Sequence, residues 1–118
     1  MTAEALSKVI IKGMEEKKAS DITVMDLRSV KDTVTDFFVI CSGNSDTQLD
    51  AISKSIEEQV HKAGDSPAWK IEGRANGQWI LMDYVNVVVH VFQKHIREYY
   101  NIESLWGDAK ITSIENKY

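Results

Sequence analysis

Apolar residues recur with a helical period in two segments of the chain. Leu6, Val9, Ile10 and Met14 predict an amphipathic helix over residues 3–18. A similar pattern after Ser45 predicts a second helix over residues 46–62. Ser45 and Gln48 match a capping box, in which the serine accepts a backbone N–H bond and the glutamine returns one.

Shorter apolar runs, bounded by glycine or charged residues, predict strands. The run over residues 37–41 is continuously apolar, which is typical of a central strand covered on both faces. The turn signal Asn76-Gly77 joins two further runs into a hairpin. The predicted strands cover residues 22–27, 37–41, 69–73, 78–83 and 87–92.

A two-residue connection, Tyr84-Val85 or Val85-Asn86, joins the last two strands into a second hairpin. Because side chains alternate along paired strands, this hairpin has two distinct faces. The aliphatic face carries Ile80, Met82, Val87, Val89 and Val91. The mixed face carries Trp79, Leu81, Asp83, Val88 and His90. The first face belongs to the core, and the second is either covered by a helix or offered to a partner.

The C-terminal part predicts a helix over residues 94–103, after which Leu105 and Trp106 fold back. Residues after about 110 are expected to fray. The order of helices and strands predicts an α+β fold, a single mixed β-sheet with helices packed against it and one parallel crossover. Pro67 is the one proline and no linker is evident, so we expect a single domain over residues 1–118.

Composition narrows the function classes. The chain has 118 residues with 14 basic against 18 acidic side chains, a net charge of −4, and 43% hydrophobic residues. An acidic chain is unsuited to extensive contact with nucleic-acid phosphates. A single cysteine, Cys41, excludes an intrachain disulfide, and no apolar stretch is long enough to span a membrane. We therefore expect a cytoplasmic protein without a membrane partner.

The loop over residues 43–45 offers one enzymatic alternative. It leads from a buried strand into a helix N-terminus, where backbone N–H groups can hold a phosphate, as in nucleotidyltransferases. That chemistry also needs paired carboxylates for magnesium, whereas Glu72 and Asp83 are isolated. An ordinary capped turn is the favoured interpretation. The alternative, a small nucleotide-binding or nucleotidyl-transferring enzyme, stays open.

Other reactive residues point to no catalytic, metal or cofactor site. His61, His90 and His95 lack a zinc-binding spacing. Cys41 closes an apolar strand, where a thiol is usually inert, and the pair Tyr99-Tyr100 is expected in the core. Trp79 is the exception, because an aromatic residue beside Leu81 and Asp83 is typical of a protein-binding patch.

Several motifs resemble the ribosomal silencing factor family, also called the Iojap family. The residues that carry the resemblance are Thr35-Asp-Phe-Phe-Val-Ile-Cys-Ser-Gly-Asn-Ser45, Trp79-Ile-Leu-Met-Asp-Tyr-Val-Asn-Val-Val-Val-His-Val-Phe92, Arg97-Glu-Tyr-Tyr100 and Leu105-Trp-Gly-Asp-Ala109. The similarity runs from about residue 3 to residue 109. It implies a nucleotidyltransferase-like fold without the catalytic carboxylates, and no enzyme activity.

The resemblance also implies a partner and a mode of action. Family members bind the large ribosomal subunit at ribosomal protein fourteen, block joining of the small subunit and so repress translation. By this analogy Trp79 and Asp83 contact the ribosomal protein, and the face assignment adds Leu81 and His90. The resemblance further implies a homodimer when the protein is free, and a large-subunit assembly factor is an alternative that uses the same surface. One departure is Val85-Asn86, where the family usually has Gly-Asp.

Overall fold

The computed structural model describes residues 1–116 and 118 of the chain. The helices of this part are α1 (Ala3–Glu16), α2 (Asp46–Lys62) and α3 (Lys94–Tyr100). The strands are β1 (Ser20–Asp26), β2 (Phe37–Gly43), β3 (Lys70–Glu72), β4 (Trp79–Asp83), β5 (Val87–Gln93) and β6 (Lys110–Ser113). A 3₁₀ turn, Ile102–Leu105, follows α3. The predicted helices near the N-terminus and after Ser45 are therefore confirmed.

These strands form one mixed sheet in the order β3-β4-β5-β2-β1-β6. Strands β2 and β5 run parallel at its centre, and the other neighbouring pairs are antiparallel. The α+β class, the single mixed sheet and the central position of β2 agree with the sequence-based prediction.

Helices α1 and α2 cover one face of the sheet and enclose the main core. Gly13 allows the two helices to approach closely, because a Cβ atom there would lie 2.8 Å from the Ile56 Cα. At the same crossing, the Ser55 hydroxyl donates to the Gly13 carbonyl at 2.8 Å. A glycine that lowers helix propensity in α1 thus permits the contact with α2.

The β4–β5 hairpin has the two faces that alternation predicts. Leu81 pairs with His90 and Asp83 with Val88, which places these four side chains on the face away from α1 and α2. All five residues of the aliphatic face are buried in the core under the helices. A second, smaller cluster on the opposite face is built on Met25, Ile40, Phe92 and Ile102. We call the face that carries Trp79, Leu81, Asp83, Val88 and His90 the outer face.

The segment after β5 differs from the prediction. Helix α3 ends at Tyr100 rather than at residue 103, because Asn101 adopts a left-handed conformation with φ 45°. Trp106 folds back as predicted and meets the Phe38 ring edge-to-face at 5.0 Å. Leu105 does not dock, since 67% of it is exposed.

The fraying expected after about residue 110 is wrong for the residues that follow directly. Lys110–Ser113 forms strand β6, which pairs with β1 in antiparallel register. The carbonyl of Ile22 then accepts a hydrogen bond from the Ile114 amide at 2.8 Å. The exposed edge strand carries too few core-facing residues to stand out in the hydropathy pattern.

The turn between β4 and β5 places a β-branched residue in a left-handed conformation. Val85 has φ 74°. Across it, the backbone amide of Asn86 donates a hydrogen bond to the carbonyl of Tyr84 at 2.9 Å. This i to i+2 bond is that of a γ-turn, a strained conformation for an L-residue. Val85, at the position where the resemblance implies a glycine, therefore adopts a backbone conformation that is strained for a valine.

Substitution of Val85 by glycine should release this strain. We expect Val85→Gly to raise the free energy of unfolding by about 1 kcal/mol, because positive φ is unfavourable for a β-branched side chain. Val85 is 59% exposed, so little packing is lost. Urea denaturation measures the change. Asn86→Gly is the matched control in the same turn, and equal stabilisation by both variants would contradict the strain at Val85.

Candidate functional site

Trp79 lies at the centre of an aromatic cluster on the outer face. It pairs across the hairpin with Phe92, and the two ring centroids are 4.7 Å apart. Tyr100, at the end of α3, meets the same indole at 5.1 Å. The indole is partly buried, so one part packs on the sheet while the rest faces outward.

His90 fixes the position of the Trp79 indole through a hydrogen bond. The indole Nε1–H donates to His90 Nδ1 at 3.1 Å. The ring of His90 stacks against Phe92 at 6.0 Å and meets the edge of Phe38 at 4.7 Å. Since Nδ1 accepts a hydrogen bond, the proton of the neutral imidazole is on Nε2. The structure therefore places His90 on the predicted face but buried within it, with 5% of its surface exposed.

Burial also fixes the charge state of His90. Loss of hydration lowers the pKa of His90 from 6.5 to about 4. The imidazole is accordingly neutral near pH 7, which is the state that accepts the Trp79 N–H bond.

This depressed pKa predicts a loss of stability on mild acidification. Between about pH 6.5 and 4 the unfolded chain binds a proton at His90 that the folded chain does not, so stability falls as the pH is lowered. From pH 7.5 to 5.5 we expect the contribution of His90 to fall by about 1 kcal/mol. Urea denaturation at both pH values measures it. His90→Gln is the comparison variant, and an unchanged pH dependence in that variant would contradict the assignment.

A groove of about 310 Å³ opens on the outer face, lined by Leu81 and His90 but not by Trp79. We call it the outer groove. Its apolar lining comes from strand residues Phe38, Leu81 and Val88, from Leu27 at the start of the β1–β2 loop and from Trp106, and His90 adds a buried imidazole. The loop between β1 and β2 supplies Asp32, Thr33, Val34 and Thr35, and the β4–β5 turn supplies Asp83 and Val85. Three of the four predicted site residues, Leu81, Asp83 and His90, thus lie around one cavity.

Two features give the groove the character of a binding surface. Asp32 and Asp83 place two carboxylates in its lining, and Val34 and Val85 are strongly exposed apolar residues in the same lining. One Asp83 oxygen accepts the Val85 amide at 2.8 Å, so this residue also supports the turn. Exposed apolar side chains beside acidic groups suit a partner with apolar and basic surface.

The structure corrects the expectation for the tyrosine pair. Tyr99 and Tyr100 are not core residues, since 80% and 52% of their surfaces are exposed. Their rings meet edge-to-face at 5.1 Å, and Tyr100 extends the Trp79 cluster outward. The aromatic surface is therefore larger than the sequence indicated.

Arg97 is a buried polar centre that the residue pattern did not reveal. Its guanidinium donates to the Asp21 carbonyl at 2.6 Å, to the Ser42 hydroxyl at 2.9 Å and to the Thr23 hydroxyl at 3.1 Å. It also pairs with Glu103 at 2.9 Å. Because Glu103 belongs to the turn before Trp106, Arg97 ties that segment to β1 and β2. In the sequence, Arg97 stands out only as part of the Arg97–Tyr100 motif, and nothing there indicates which residues it contacts.

The backbone groups of the loop after β2 are already engaged. The Ser45 hydroxyl accepts the Gln48 amide at 3.1 Å, as predicted for the cap. The glutamine returns a bond, since Gln48 Oε1 accepts the backbone amide of Asn44, the residue before the cap, at 2.7 Å. Gln48 also donates to the carbonyl of Lys17 at 3.2 Å. These contacts favour a capped turn over a phosphate site.

The described residues give no support for a metal site, a reactive thiol or a membrane-spanning helix. Among them, no cluster of three or more His, Cys, Asp or Glu side chains is arranged to hold a metal ion. Burial raises the pKa of the Cys41 thiol to about 12, which keeps it protonated. In this part of the chain, no helix combines the length and apolar character needed to cross a membrane.

Comparisons with known proteins agree with the fold and the motifs. A family model described as "Ribosomal silencing factor during starvation" matches residues 1–117. A ribosomal silencing factor from Bacillus subtilis is 39% identical over 115 residues, covering 98% of this chain and 96% of that protein. The mouse protein "Mitochondrial assembly of ribosomal large subunit protein 1" is 30% identical over 100 residues, covering 83% of this chain and 43% of that protein.

A solved structure has the same fold. The crystal structure of a Chromobacterium violaceum protein superposes with a TM-score of 0.85 at 30% identity, covering 99% of this chain and 97% of that one. The mixed sheet, the sequence motifs and the match over residues 1–117 lead to one assignment. The chain belongs to the ribosomal silencing factor family.

Proposed function

We propose that this protein is a non-enzymatic translational repressor of the cytoplasm. It docks through Trp79, Leu81, Asp83 and His90 onto ribosomal protein fourteen of the large subunit, and blocks joining of the small subunit by occupying that surface. The observation that carries the proposal is the incomplete cover of the outer face. There Trp79 and Leu81 remain partly exposed and Leu81 lines an open groove, while helices bury the opposite face.

The chemistry of this face supports a protein partner. Trp and Tyr are strongly enriched at the centres of protein interfaces, and Trp79 packs here against the tilted ring of Tyr100. The carboxylates of Asp32 and Asp83 suit a basic ribosomal protein. The acidic balance of the chain disfavours extensive direct contact with ribosomal RNA.

Co-sedimentation with isolated ribosomal subunits tests the proposal. We expect binding to large subunits but not to small ones, and fewer joined ribosomes when both subunits are then mixed. Binding to neither subunit would contradict the proposal. The nucleotide alternative would then be tested by calorimetry with a nucleoside triphosphate and magnesium.

A large-subunit assembly factor is the second candidate function. The name of the mouse relative refers to assembly of the ribosomal large subunit, and that protein matches most of this chain. Both functions would use the outer face. Binding to large subunits without any effect on subunit joining would favour assembly over repression.

The outer face is also where we propose that a second copy binds when no ribosome is present. Its partly exposed aromatic residues suit self-association as well as docking. Sedimentation velocity over a range of concentrations measures the dimer, and Trp79→Ala should shift the equilibrium toward the monomer.

A further inference from the structure

Two buried polar atoms at the outer groove have no hydrogen-bond partner among the described residues. They are Nε2 of His90 and the hydroxyl oxygen of Thr35. Both residues line the groove, and both are nearly inaccessible, with 5% and 7% of their surfaces exposed. A buried polar group without a partner is unfavourable, so a ligand that supplies the missing bond binds more tightly.

The hydrogen-bond network defines which ligand atom fits. Trp79 occupies Nδ1 of His90, so Nε2 carries the proton and is a donor. A cation cannot accept this bond. An anion would be repelled by the carboxylates of Asp32 and Asp83 in the same lining. A neutral carbonyl oxygen satisfies both conditions.

The walls of the groove fit the atoms that accompany such a carbonyl. Leu81, Val88 and Phe38 provide an apolar surface, and the volume of about 310 Å³ accommodates a short extended segment of a protein. Phe38 is partly buried and packs edge-on against His90 at 4.7 Å. Because Nε2 is buried in the free protein, side chains at the groove must shift before a carbonyl oxygen reaches it.

We propose that the outer groove binds a carbonyl group of the docked ribosomal protein, through the Nε2–H of His90 and the hydroxyl of Thr35. The inference rests on the proposed function and adds to it a polar recognition point beneath the aromatic surface. Thr35 is a new site residue. It lies on the β1–β2 loop, whereas the four residues proposed for docking all lie on the β4–β5 hairpin.

Two variants test the inference without removing the aromatic surface. Thr35→Val deletes the hydroxyl and keeps the shape of the side chain. His90→Asn keeps an acceptor toward Trp79 but lacks the Nε2–H donor. We expect each variant to weaken binding to isolated large ribosomal subunits about tenfold, as for the loss of one buried hydrogen bond.

The stability of the free protein separates recognition from a structural role. Because the Thr35 hydroxyl has no partner among the residues that the structure describes, Thr35→Val should leave the urea midpoint unchanged or raise it. Thr112→Val, the same change on the exposed strand β6, is the matched control and should bind like the wild type. If His90→Asn does not fold, Thr35→Val alone decides the test.

The outcomes distinguish this inference from the proposed function. Wild-type binding to large subunits together with near-wild-type affinity of the folded variants, within about twofold, overturns the carbonyl site and leaves the docking proposal intact. Absence of wild-type binding overturns both. Weaker binding by Thr35→Val with unchanged stability supports the site.

Discussion

Replacement of Arg97 by methionine should lower the free energy of unfolding by about 3 kcal/mol. Arg97 is 9% exposed, and its guanidinium satisfies two hydroxyls, a backbone carbonyl and a carboxylate. Methionine fills much of the same volume but leaves the Ser42 and Thr23 hydroxyls without their donor. It also leaves the Glu103 carboxylate without its counter-charge. Urea denaturation near neutral pH measures the loss.

Arg28→Met is the matched control for burial. Arg28 also bonds to two carboxylates, those of Glu4 and Asp26, but 49% of its side chain is exposed. Water replaces most of these interactions when the side chain is removed, so the loss should be much smaller. Equal losses in the two variants would contradict a role for burial of the Arg97 network. A folded Arg97→Met protein would also show whether the packing of Trp106 against Phe38 depends on Arg97.

The central part of the fold could be predicted because local pattern and tertiary environment agree there. The alternation of Ile80 and Met82 with Trp79 and Leu81 reflects a strand with one covered face, and the pairing with β5 follows from the short turn. Helix α2 begins at Asp46 because Ser45 caps it, and the capping signal is contained in four consecutive residues. In both cases the information is local.

The C-terminal segment could not be predicted in the same way. Asn101 interrupts a pattern that is otherwise compatible with helix, and its left-handed conformation carries only a weak signal in the sequence. Strand β6 forms because β1 offers it a free edge, a property of the assembled sheet. The partners of Arg97 are distant in sequence, for example Asp21 at 76 positions. Tertiary structure decides each of these features.

The candidate site was likewise predictable only where it depends on local pattern. The outer face of the hairpin follows from alternation, and so Trp79, Leu81, Asp83 and His90 were identified together. The groove was not predicted, because Phe38 and Trp106 come from other segments and meet only in the folded protein. Nor does the sequence reveal that the Trp79 indole N–H is already satisfied by His90. The free protein therefore presents the ring of Trp79, rather than its N–H group, to a partner.

Replacement of Trp79 by alanine should weaken binding to the large ribosomal subunit by about 2 kcal/mol or more, which is roughly thirtyfold in affinity. The substitution removes the ring that joins Phe92 to Tyr100 and frees Nδ1 of His90. Pelleting of the variant with isolated large subunits over a concentration series measures the affinity. Urea denaturation shows whether the variant is folded at the temperature used.

Trp69→Ala is the matched control for the loss of a tryptophan. Trp69 is 74% exposed and directly precedes β3. Alternation along that strand places it on the same side as Ile71, which packs against the core under the helices. It therefore lies off the outer face, and its removal should leave binding unchanged. A folded Trp79→Ala protein that binds like the wild type would exclude Trp79 from the interface, whereas equal losses in both variants would move the docking surface away from the outer groove.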